Sequence, residues 1–154
     1  MDLILWRHAE AQDALEGQGD LERALTTKGE RQAERMAQWL TRRLGASTRI
    51  LASPARRCQQ TVAALGRDFE TSEAIRPDAS VAKMLEAAGW PDAGAPVLVV
   101  GHQPTLGLVA ARLLAGVDQP WSMKKSAVWW LRRRERDGEG ARVVLQAVIG
   151  PDCL

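Results

Sequence analysis

Hydrophobic and polar positions change period several times along the 154 residues, and those changes divide the chain into elements. Leu3-Ile4-Leu5-Trp6 is an unbroken apolar run of strand length, which predicts a strand over residues 2–7. Residues 9–25 are polar and glycine-containing and read as a loop. Thr27-Lys28-Gly29-Glu30 has capping-box spacing. Ala33, Met36, Ala37, Leu40 and Leu44 then recur at helical period, and Gly45 ends that helix. Arg49-Ile50-Leu51-Ala52 is a second short strand. Ser53 at a cap and Pro54 in a first turn predict a helix running to about Gly66.

Beyond it the pattern loosens. Glu73-Ala74-Ile75-Arg76-Pro77 suits either an edge strand or a loop, and Asp78 can cap a short helix through Ala87. Gly89 to Pro96 is a connection rich in glycine and proline. Val97-Leu98-Val99-Val100 is apolar throughout, as in a strand covered on both faces. Pro104 opens a helix whose apolar face is Leu106, Val109, Ala110, Leu113 and Leu114. Residues 126–134 and 142–149 read as two strands of a hairpin turning at Asp137-Gly138-Glu139-Gly140. Adjacent in the first of them, Trp129 and Trp130 should face opposite sides. Strand–helix units followed by a hairpin predict an α/β fold of three layers, α/β/α. Its central sheet would be mainly parallel, with a C-terminal antiparallel hairpin.

Composition narrows the setting. A chain of this length is expected to form one domain, residues 1–154. Its 45% hydrophobic and 26% charged residues are ordinary for a soluble globular protein. A net charge of +2 gives no strong pull toward polyanions, so neither nucleic acid nor a membrane is an expected partner. Cys58 and Cys153 make no disulfide framework, and two cysteines with two histidines give no metal-ligand spacing. No metal and no cofactor are therefore expected. No signal peptide and no spanning segment are visible, so a cytoplasmic monomer is the expectation. Gly17-Gln18-Gly19 lacks the third glycine and the preceding strand of a dinucleotide fingerprint. Arg132-Arg133-Arg134-Glu135-Arg136 reads as a solvated strand end, or more sharply as a docking surface for an acidic protein.

In a parallel sheet, ligands bind beyond the carboxyl ends of the strands. Arg7 and His8 end the first strand, Ser53 ends the second, and Gly101-His102 ends the Val97 run. Arg56 and Arg57 fall in the turn after Ser53-Pro54. Two histidines, arginines and a helix start without an acidic cluster make an anion site, and a tetrahedral phosphoryl group suits it.

These segments resemble the histidine phosphatase superfamily, whose fold is phosphoglycerate mutase-like. Arg7-His8-Ala9 resembles its first signature, Ser53-Pro54-Ala55-Arg56-Arg57-Cys58-Gln59-Gln60-Thr61 its second, and Gly101-His102 its third. Asp20-Leu21-Glu22-Arg23-Ala24-Leu25 with Gly29 is similar to the small SixA-type branch. The resemblance implies a catalytic set of Arg7, His8, Arg57 and His102. His8 would attack phosphorus and form a phosphohistidine intermediate, which water then hydrolyses. Arg7, Arg57 and His102 would bind the phosphate oxygens.

Larger members of the superfamily carry an insertion and a carboxylate general acid in the second half of the site. The 44 residues between Arg57 and His102 leave no room for a lid, and Glu70, Glu73 and Glu86 sit in no acid motif. An imidazole leaving group, with a pKa of about 6.5, needs less protonation than an alkoxide. The expected activity is thus a phosphohistidine phosphatase acting on a protein, such as a histidine phosphotransfer domain or phosphocarrier. A phosphatase for a small sugar or nucleotide phosphoester is the alternative. A non-catalytic phosphoprotein-binding module is a further one.

Overall fold

A computed structural model describes all residues, 1–154, built around one six-stranded sheet. Its strands are β1 (Asp2–Arg7), β2 (Arg49–Ala52), β3 (Glu70–Thr71), β4 (Val97–Gly101), β5 (Val128–Arg136) and β6 (Gly140–Ile149). The helices are α1 (Thr27–Thr41), α2 (Arg56–Ala63), α3 (Val81–Ala87) and α4 (Thr105–Ala115). Across the sheet the order is β3-β2-β4-β1-β5-β6. The first four strands pair in parallel, while β5 runs antiparallel to β1 and β6 antiparallel to β5. This is the α/β class expected, with a parallel centre and an appended hairpin.

The two apolar strands lie at the centre because both their faces are covered. Leu3 and Leu5 point to one side with Leu51, Val97 and Val99, under Val81 and Met84 of α3 and Leu106, Val109 and Ala110 of α4. Ile4 and Trp6 point to the other side, under Met36, Ala37 and Leu40 of α1 and Cys58 and Val62 of α2. Trp129 packs with the first cluster and Trp130 with the second, as alternation along a strand requires.

Several boundaries differ from the sequence expectation, and each difference has a local cause. The cap of α1 is Thr26, one residue earlier, with its hydroxyl accepting from Gly29 N at 2.9 Å. Ser53 does not cap α2. That helix starts at Arg56 with Ala55 at the cap and ends at Ala63. The Glu73–Ile75 segment is a single 3-10 turn, and the edge strand is Glu70–Thr71 just before it. Ser80, not Asp78, caps α3, its hydroxyl accepting from Lys83 N at 3.2 Å. The hairpin is longer than expected because pairing continues to Arg136↔Gly140. Residues 9–25 form a loop, as expected, pinned by a bridge between Ala11 and Leu25.

Candidate active site

The parallel register aligns the strand ends, since Arg7 pairs with Gly101 and Ala52 with Val100. The residues just beyond therefore meet. Arg7, His8, Arg57 and His102 line one cleft of about 280 Å³ with Ala11, Asp13, Arg23, Pro77, Gln103 and Lys125. The structure thus brings together all four residues singled out from the sequence. The ring centroids of His8 and His102 are 5.3 Å apart.

Each side chain is held by contacts that the local sequence does not display. His8 Nδ1 lies 2.8 Å from Ala9 O, which fits an Nδ1–H donor and leaves Nε2 with its lone pair. Arg7 donates through Nη1 to Met123 O at 2.7 Å. Arg57 is only 4% exposed, and donates to Asp20 O at 2.8 Å and Asp20 Oδ2 at 3.0 Å. His102 Nδ1 faces Arg57 Nη2 at 3.3 Å, and its Nε2 lies 2.7 Å from Ser53 Oγ. Thr61 locks the base of the site, donating to Arg57 O at 2.7 Å and accepting from Ala9 N at 3.0 Å. Gln60 accepts from Leu25 N at 2.7 Å and ties the loop to α2. Cys58 is fully buried, as expected of a small core residue.

The electrostatics favour an anion and neutral imidazoles. Burial first, then the positive charges of Arg57, Arg7 and Arg23, push the His8 pKa down to about 4 despite the bond to Ala9. Burial, His8 and Arg57 likewise bring His102 down to about 3. Arg7 Nε and Arg57 Nε are buried without a hydrogen-bond partner. Unpaired guanidinium donors inside a protein are costly unless an anion meets them.

The loop contributes residues to which the sequence reading gave no role. Arg23 lines the cleft, its Nε 3.2 Å from Asp20 Oδ1 but not aligned for a hydrogen bond. Partial burial raises the Asp20 carboxyl, yet the hydrogen bond and charge of Arg57, with Arg23, leave it below its usual value. Lys125 joins the cleft to a neighbouring groove of about 470 Å³ lined by Lys124, Trp129, Val148 and Ile149. Asp13 also lies on the cleft wall, so the site is not free of carboxylates as its sequence suggested. Arg56 is exposed and stays outside the cleft. No group of three or more histidine, cysteine, aspartate or glutamate side chains is placed to hold a metal ion.

Residues 3–83 match the family model for the histidine phosphatase superfamily, branch 1. The chain belongs to that superfamily. It is 35% identical over 145 residues to an uncharacterized protein of Picosynechococcus, spanning 86% of this chain and 85% of that one. It is 31% identical over 129 residues to the phosphohistidine phosphatase SixA of Escherichia coli K12, with 78% of each chain covered. A solved structure of the protein histidine phosphatase SixA complexed with tungstate superposes with a TM-score of 0.76 at 27% identity, covering 99% of both chains. This histidine phosphatase is therefore SixA-like, and it shares the phosphoglycerate mutase-like fold of those structures. No helix in it is long and apolar enough to cross a membrane.

Proposed function

We propose that this phosphatase hydrolyses the phosphoramidate bond of a phosphohistidine carried by another protein. The observation that carries this reading is His8. It is buried and held neutral, its Nδ1 tied to Ala9 O, with Nε2 left unprotonated in a cleft that Arg7 and Arg57 also line. Neutral His8 Nε2 attacks phosphorus in line, and the phosphorus–nitrogen bond to the donor imidazole breaks. The phosphoryl group then rests on His8 until water attacks phosphorus and releases orthophosphate. Arg7, Arg57 and His102 bind its oxygens and meet the charge of the transition state. Removing one such donor costs about 10²–10³ in kcat.

The phosphoprotein substrate is supported by the leaving group and by the relatives. Imidazole departs with less help than an alkoxide, and no Glu70, Glu73 or Glu86 carboxylate reaches the cleft wall. A SixA relative bears the name phosphohistidine phosphatase. As proposed, the chain works as a single domain, a monomer and a cytoplasmic enzyme, its own side chains supplying the chemistry. A second reading, a phosphatase for a small phosphoester, is favoured by one observation, the Asp13 carboxylate on the cleft wall. Turnover of a phosphorylated histidine phosphotransfer domain, measured beside a panel of sugar and nucleotide phosphates, separates the two. Faster release from the esters would refute the phosphoprotein reading. Labelled phosphate trapped on His8, and lost in His8→Asn, tests the intermediate itself.

A further inference from the structure

Arg132 to Arg136, the densest basic run in the sequence, ends β5. Because β5 runs antiparallel to β1, with Val128 beside Trp6 and Arg132 beside Asp2, the run lies at the end of the sheet away from the His8 cleft. Arg132 is ion-paired with Asp2, and Arg133 with Glu135 and Asp92. Arg134, Arg136 and, on β6, Arg142 are exposed and pair with no carboxylate. The register sets Arg134 directly opposite Arg142, and alternation puts Arg136 and Val144 on the same face. These four line a hollow of about 150 Å³ with Glu139 and Gly140. Like charges directly opposed on a sheet repel. One glutamate among three arginines leaves the hollow positive, and a carboxylate seated between Arg134 and Arg142 would turn the repulsion into charge-assisted hydrogen bonds.

The strand beside this hollow is open. β6 is the last strand of the sheet, and no other strand pairs with its outer edge. Val143–Ile149 contains no charged residue and no proline, two common guards of an edge. Val144, Leu145 and Val148 are three of the six large apolar side chains that are exposed. The one irregularity is a bulge at Gln146, since Leu145 pairs with Leu131 and Ala147 with Trp130. The regular stretch of open edge is therefore Gly140–Leu145, alongside the arginines.

We infer that the outer edge of β6 at Gly140–Leu145 receives an extended, acidic segment of another protein, which adds as a seventh strand and sets carboxylates against Arg134, Arg136 and Arg142. Backbone hydrogen bonds give the affinity and alternate side chains the specificity, acidic toward the arginine face and apolar toward Val143 and Leu145 on the other. Gly140–Ile149 holds no acidic residue, so a second copy laid on β6 would leave the arginines unmet. No aromatic side chain lines the hollow to stack a base, which disfavours a nucleic acid.

The test titrates a fluorescent, end-capped peptide of sequence Glu-Val-Glu-Val-Glu-Val into the intact protein and reads amide hydrogen exchange along β6. The expected result is saturable binding with slowed exchange of the outward amides of Gly140–Leu145. Arg134→Glu and Arg142→Glu should each weaken it by about tenfold. The same peptide methylated on every backbone nitrogen keeps the charge but cannot pair as a strand, and should lose the binding. Arg57→Ala should leave the affinity unchanged, because the His8 cleft lies at the other end of the sheet. Equal affinity in the methylated peptide or in either charge-reversed variant would overturn the inference. So would a loss of binding in Arg57→Ala, which places the peptide in the cleft, or an oligothymidylate of equal charge that binds as tightly. Protection of β6 that grows with protein concentration alone would give the edge to a second copy and overturn it as well.

Discussion

Acid should unfold this protein in a window set by its two histidines. In the folded state His8 titrates at about 4 and His102 at about 3, against 6.5 for the free side chain. Both are buried, 7% and 4% exposed, and burial is the leading cause of each shift. The unfolded chain thus binds protons that the folded chain refuses. Stability is intact above pH 6.5 and falls as the pH drops toward the folded values. At pH 5 the unfolded histidines lie about 1.5 units below their pKa, worth about 2 kcal/mol each at 1.36 kcal/mol per unit. The pair together costs about 4 kcal/mol, a large share of a typical stability of about 5–15 kcal/mol. Asp2 and Asp20 are lowered from 3.8, so what they contribute is lost at more acid pH, below the span from pH 7 to pH 5. Urea melts at pH 7 and pH 5 read the effect directly. With a slope of about 2 kcal/mol/M, the midpoint should fall by about 2 M. His8→Asn and His102→Asn should each remove their own half of the fall. A midpoint that stays constant between pH 7 and pH 5, or variants that keep the whole acid sensitivity, would refute the reasoning.

Other outcomes follow from single contacts. Arg57→Lys should lower turnover nearly as much as Arg57→Ala, about 10²–10³ fold, because an ammonium cannot reproduce the guanidinium's grip on Asp20 together with its reach toward His102; steady-state kinetics on a phosphorylated substrate decide it. Gly29→Ala should destabilise by about 1–3 kcal/mol in a thermal melt, since an added Cβ would run into the Glu10 carbonyl where the loop meets α1. In the native protein a thiol reagent should label Cys153, which is exposed, and leave Cys58, which burial pushes up to about 12, untouched until denaturant is added; mass spectrometry of the labelled peptides shows which reacts.

The parts of the site legible in the sequence are those that depend on period and on strand ends. Leu3–Trp6 and Val97–Val100 announce central strands because both their faces are covered, and this alone brings His8 and His102 to one edge of the sheet. The helical face of Ala33, Met36, Ala37 and Leu40 is buried as its spacing implies. What stayed hidden is fixed by distant partners. Arg7 is aimed by the carbonyl of Met123, and Arg57 by Asp20, neither of which any local pattern connects to them. Ser53 followed by proline has the chemistry of a helix cap, but a buried histidine outcompeted the helix end for its hydroxyl. Asp13 and Arg23 come to the cleft only because the loop folds back through Ala11 and Leu25. The segment Asp20–Leu25 with Gly29 resembles the family in sequence, but the part that Asp20 and Arg23 play in the site shows only in three dimensions.

The place of β1 in the sheet bears on when this protein becomes active. The strand that carries His8 leaves the ribosome before its two neighbours, β4 and β5, which begin at Val97 and Val128. At about 5–20 residues per second, roughly 5–20 s of synthesis separate His8 from His102. During that time the apolar Leu3–Trp6 segment has no pairing partner, and Arg7 and His8 have neither Arg57's companions nor a sheet to stand on. Most of the sheet's pairings join distant parts of the sequence, so folding waits for the late strands. A nascent chain that stops short of Val128 therefore carries Arg7 and His8 without the completed sheet that sets them beside Arg57 and His102.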